Sequence, residues 1–137
     1  MKTNTLDEFT HAYLNAALWA ETDSDGNPLD TMFDLDTIGD ELASAAARDC
    51  AEFQSHNETG LAAAYEVPGY TPQSAGHDLW LTRNGHGAGF WDRGLGEIGE
   101  ALSDSARRMG SFDLYIGDDG QLYGASQVVT STEAPSP

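Results

Sequence analysis

The sequence predicts an α+β domain: a four-stranded antiparallel sheet built from two β-hairpins, with three helices packed mainly on one face. Three observations carry this. Asn84-Gly85 stands between two apolar, aromatic-rich runs, the strongest short hairpin signal. Gly117-Asp118-Asp119-Gly120 separates Phe112–Ile116 from Gln121-Leu122-Tyr123 in the same manner. Elsewhere apolar residues recur at steps of three to four, the helical period. Helices before and between hairpins make an α+β order.

The first helix spans about residues 6–21. Thr5 and Glu8 form a capping box, and Leu6, Phe9, Tyr13, Ala16, Ala17 and Ala20 follow at helical spacing, with His11 on the solvated side. Glu21, Asp23, Asp25, Gly26 and Asn27 then match the early positions of a calcium loop. Met32 stands where the bidentate glutamate belongs, so the segment reads as a solvated loop and no metal is expected.

Asp34 or Asp36 caps a long second helix. Its stripe is Ile38, Leu42, Ala46, Cys50, Phe53, Leu61 and Ala64, with a kink expected near Asn57–Gly60. Asp40, Glu41, Asp49, Glu52 and Glu58 are assigned to its outer surface, as a row of carboxylates available to a partner. Cys50 falls on the buried stripe and reads as a core residue rather than a nucleophile. A single cysteine excludes an internal disulfide and fits a reducing compartment.

Val67–Ala75 reads as a loop leading into the first hairpin, Gly76–Arg93. Counting outward from Asn84-Gly85 pairs Trp80 with Gly89, Asp78 with Trp91 and His77 with Asp92. Strand alternation sends Leu79, Leu81, Ala88 and Phe90 to the core face. Trp80 and Trp91 share the other face with two glycines. Either Trp80 covers Gly89, or a ligand or partner lies on that floor. His77 and Asp92 are either an acid/base dyad or a cross-strand ion pair. No serine or exposed cysteine stands near them to act as a nucleophile.

Leu95, Ile98, Leu102, Ala106 and Met109 make an amphipathic third helix, stopped by Gly110. The second hairpin follows. Residues 1–124 form one domain, and the Ser/Thr/Pro-rich stretch 125–137 reads as a disordered tail.

Charge bounds the function. Six basic residues face 23 acidic ones, a formal charge of −17. Residues 1–66 hold 14 acids against Lys2 and Arg48. Such a surface repels nucleic acid and anionic membranes, so neither is an expected direct partner. Two readings are open: imitation of nucleic acid toward a basic protein groove, or an acidic surface serving solubility or a high-salt cytoplasm. No apolar run reaches the length of a membrane span. No cofactor motif is present, and none is expected.

The stretch Gly76–Arg93 resembles the most characteristic segment of a family of small, acidic, mostly uncharacterised proteins of bacteriophages and bacterial mobile elements. Weaker points of similarity are Phe9–Leu14, Ala17-Leu18-Trp19, Pro28-Leu29-Asp30, Asp49-Cys50 with Phe53, and Tyr115–Gly120. Relatives carry an aromatic where this chain has Leu79. The resemblance implies a phage or mobile-element origin and a cytoplasmic setting in a bacterial host; it implies no reaction.

The function expected is therefore non-enzymatic: an acidic protein that occupies a host protein, in its sharpest form a nucleic-acid mimic blocking a DNA-processing or defence enzyme. Asp40, Glu41, Asp49, Glu52 and Glu58 would supply the charge, and Trp80 and Trp91 the anchor. The alternatives are a small enzyme or ligand-binding protein using His77 and Asp92, and a minor virion or assembly component. The oligomeric state is left open.

Overall fold

The computed structural model describes residues 6–126. Among them are five α-helices and one two-stranded antiparallel sheet. The helices are α1 (Glu8–Ala20), α2 (Asp40–His56), α3 (Glu58–Ala64), α4 (Pro72–Arg83) and α5 (Glu97–Arg108), followed by β1 (Phe112–Ile116) and β2 (Leu122–Ser126). Thr5 of the expected capping box, and the expected tail beyond β2, lie outside the described residues.

This overturns the four-stranded sheet with three helices. Gly76–Arg93 is not a hairpin: its first half is the body of α4, and its second half is a loop closed by a 3-10 turn at Phe90–Asp92. The start of α4 has a capping box, in which the Thr71 side chain accepts from the Ser74 amide and Pro72 sits in the first turn. Asn84-Gly85 ends the helix. Gly85 adopts φ +69°, the His86 amide donates to Leu81 O at 3.1 Å, and the Gly85 amide to Thr82 O at 3.4 Å. These two bonds are a Schellman closure. Asn-Gly serves this stop as readily as a type I′ hairpin turn, because both need a residue at positive φ.

The other helices sit where their periodicity puts them, but their starts differ: α1 begins after Asp7 rather than Thr5, and α2 begins after Gly39, which has no side chain to cap it, rather than after Asp34 or Asp36. Asp7 caps α1, its side chain accepting from the Thr10 amide at 2.9 Å. The expected kink is a break at Asn57, whose side chain donates to Phe53 O and to Ser105 Oγ of α5. Helix α5 carries Arg107 and Arg108 in its last turn, where cations oppose the helix dipole. The hairpin β1–β2 pairs Tyr115 with Tyr123 and Leu114 with Gly124.

Helices α1 and α4 form the central pair. Tyr13, Trp80 and Phe112 meet edge to face with centroids 5.2–6.1 Å apart, a geometry aromatic quadrupoles favour. Phe53 stacks on Phe90 and meets Phe9 at a tilt. All six rings are buried.

Candidate functional site

Most of the segment Gly76–Arg93 fastens the fold. Arg83, buried at the end of α4, uses all three nitrogens. Nε donates to Gly110 O at 2.7 Å; Nη1 donates to Tyr13 Oη at 3.0 Å and Asp49 Oδ2 at 2.9 Å; Nη2 donates to Met109 O at 3.1 Å and Ser111 O at 3.4 Å. The Asn84 side chain accepts from the Phe112 amide, and Thr82 Oγ1 accepts from the Phe90 amide. Glu21 Oε2 receives the Trp80 indole N–H at 2.9 Å and meets His86 Nε2 at 2.5 Å.

These contacts relocate several residues expected to face a partner. Trp80 is fully buried in the core, whereas Trp91 is 41% exposed with the Arg107 guanidinium 5.3 Å from its ring centre. The shared aromatic face of Trp80 and Trp91 therefore does not exist. Asp49 is buried against Arg83, because it lies on the same helical stripe as Ala46 and Phe53. Asp40, Glu41, Glu52 and Glu58 are exposed, with the exposed Arg48 between Glu41 and Glu52.

His77 and Asp92 are not brought together. His77 is in the middle of α4, Asp92 is exposed at the end of the 3-10 turn, and among the described residues no hydrogen bond or ion pair joins them. The calcium-like loop turns on itself: Asp23 accepts from the Asp25 and Asn27 amides. Those amide bonds, Asn27 foremost, hold its carboxyl below the usual range. No cluster of three or more potential metal ligands occurs among the described residues.

What the fold does assemble is a groove of about 870 Å³ between α1, the α3–α4 connection and α4. At its floor Asp78, 1% exposed, takes Arg93 Nε and Nη2 on Oδ1 at 3.0 and 2.8 Å. It takes the Tyr70 hydroxyl on Oδ2 at 2.7 Å. Burial, and then the Asp78 charge, push the Tyr70 pKa up, so Tyr70 stays a neutral donor. The Glu8 carboxylate, on the α1 side, accepts from Gln73 of α4 at 2.8 Å.

His77 lines the same groove, with the exposed Trp19 ring 5.9 Å away. Partial burial holds its pKa below the ordinary 6.5; the Asp78 charge opposes this and Arg93 adds to it. The imidazole is thus neutral at pH 7. An NMR titration of the His77 ring should give a midpoint below 6.5. A folded-state pKa below the unfolded one means that protonation favours unfolding, so the contribution of His77 to stability is lost as pH falls below 6.5. A midpoint at or above that value would show that burial does not outweigh the Asp78 charge.

Sequence reasoning found His77 but not its neighbours Tyr70, Asp78 and Arg93 as a unit. Tyr70 and Arg93 are 8 and 15 residues from Asp78 and both lie outside its helix, so no periodicity links the three. No protein family, curated protein or solved structure matches the chain.

Proposed function

We propose that this is a non-enzymatic acidic binding protein that acts by occupying a basic surface of a host protein, in its sharpest form one that otherwise binds nucleic acid. One observation carries the reading. From Asp23 to Glu41 there are seven carboxylates, none of them buried, and no lysine or arginine lies between Lys2 and Arg48. The backbone beneath them is tied down. Asp34 accepts from the Asp36 and Thr37 amides, Thr22 and Pro28 form a β-bridge, and Leu29 is buried. Charges on a held frame lose less entropy on docking than charges on a mobile chain.

The acidic surface is thus carried by this loop and the start of α2, at Asp40 and Glu41, rather than by the whole of α2. Trp91 remains as an aromatic anchor; Asp49 and Trp80 do not belong to the surface. No helix among the described residues is long and apolar enough to cross a membrane. The phage resemblance supplies the setting, a bacterial cytoplasm.

The test is capture of partners by the immobilised protein from nuclease-treated bacterial lysate, repeated with the variant Asp25→Asn/Asp30→Asn/Asp36→Asn/Glu41→Gln. A nucleic-acid-binding protein should be retained and displaced by added duplex DNA. Its affinity should fall about tenfold or more between ~50 and ~300 mM salt, and the neutralised variant should lose it while keeping the wild-type melting curve. Salt-insensitive capture, or a partner that does not itself bind nucleic acid, would remove the mimic.

A further inference from the structure

We propose that the groove between α1 and α4 binds a small organic monocarboxylate, gripped by the free edge of the Arg93 guanidinium. A guanidinium has two edges that can each offer a parallel pair of N–H donors to a carboxylate. Asp78 takes only the Nε–Nη2 edge of Arg93. Among the described residues Nη1 makes no hydrogen bond, so the Nη1–Nη2 edge is open, and the side chain is 36% exposed.

Neutralising a buried carboxylate would by itself explain the Arg93–Asp78 pair. It does not explain why Arg93, with that edge unused, lines a cavity of about 870 Å³, within the range of small-molecule sites. Asp78 is itself held by Tyr70, so the guanidinium is oriented before any ligand arrives. That is how binding sites hold a polar anchor.

The remaining walls define the ligand. Ala12, Val67, Pro68 and the Tyr70 ring offer apolar surface for a hydrocarbon or aromatic body. The neutral His77 imidazole can donate to or accept from an oxygen without adding charge. Asp78 already cancels the Arg93 charge, and Glu8 lies on the groove wall. A phosphate dianion or dicarboxylate would meet net repulsion there, whereas a single carboxylate gains the charge-assisted fork at the smallest electrostatic cost. The site uses neither Asp92 nor the acidic face, and stands independently of the host-protein reading.

The test is titration of the ¹⁵N-labelled protein with 3-phenylpropionate, benzoate and isovalerate, each beside its uncharged amide. At least one acid should give saturable shifts confined to residues 67–78 and α1, with its amide about tenfold or more weaker. Arg93→Lys keeps a charge for Asp78 but has no second edge, and should lose binding by a similar factor. Asn15→Glu, an exposed change on the groove wall, should weaken the acid but not the amide, without altering the fold. The site is overturned by the absence of saturable shifts at about 10 mM of every acid, by equal binding of acid and amide, or by acid binding that Asn15→Glu leaves unchanged.

Discussion

Arg83→Met should destabilise the protein by about 3–5 kcal/mol, the range for breaking a buried ion pair from one side. Methionine fills much of the same space, so the loss is not one of packing alone. It removes the guanidinium from Asp49 and leaves the carbonyls of Met109, Gly110 and Ser111 and the Tyr13 hydroxyl without a donor they now have. Those carbonyls lie where α5 ends and the chain turns into β1, so one side chain ties α4 to α1, α2 and the hairpin. Arg83→Lys should recover little, because a single ammonium cannot reach five acceptors spread over three nitrogens. Urea unfolding would show the midpoint falling with the slope unchanged. Asp49→Asn should cost less than Arg83→Met, and a double-mutant cycle between the two should give a clear coupling. A loss below about 1 kcal/mol for Arg83→Met would mean that water replaces the lost bonds, and that the latch is incidental to stability.

Arg83 also shows what the sequence could and could not convey. Where one face of an element is wet, the period is visible. Helix α5 was legible from Leu95 to Met109, and β1 from the alternation of Phe112 and Leu114 with Asp113 and Tyr115. The break at Asn57 was legible because the apolar stripe skips there. Helix α4 hides its period because Ala75, Gly76, Asp78, Leu79, Trp80, Leu81, Thr82 and Arg83 are all buried. Six consecutive buried residues, 78–83, leave no polar face to mark the turn there. Asn84-Gly85 then lent the false hairpin a plausible centre. The correction was available in Thr71-Pro72-Gln73-Ser74, a helix start inside a stretch taken for loop. Of the five carboxylates expected on an outer surface, Asp49 is the one the structure buries, and steps of three and four from Ala46 to Asp49 to Phe53 already put it on the buried stripe. The Asp78–Arg93 and Asp49–Arg83 pairs were not legible, since they join elements through the tertiary fold.

Gly76→Val should be among the most damaging single substitutions, about 3 kcal/mol or more, and Gly76→Ala a milder version of the same fault. Gly76 has an ordinary helical conformation, so the requirement is space rather than φ. A Cβ built there would sit 2.0 Å from the Phe9 carbonyl oxygen and 2.9 Å from its carbon. Both are α1 backbone, which cannot rotate aside as a flexible side chain would. The two helices would have to separate, loosening the Tyr13–Trp80 contact and widening the groove they share. Alanine gains about 1 kcal/mol of helix propensity over glycine, which offsets only part of that separation. Gly60 supplies the contrast. It too lies within a helix, but its added Cβ would meet Leu102 Cδ2 at 3.5 Å, an ordinary contact. Gly60→Ala should therefore be neutral or stabilising by up to about 1 kcal/mol, while Gly76→Ala lowers the melting temperature. If the two alanines moved stability in the same direction, close approach of α1 and α4 at Gly76 would not be what requires glycine there.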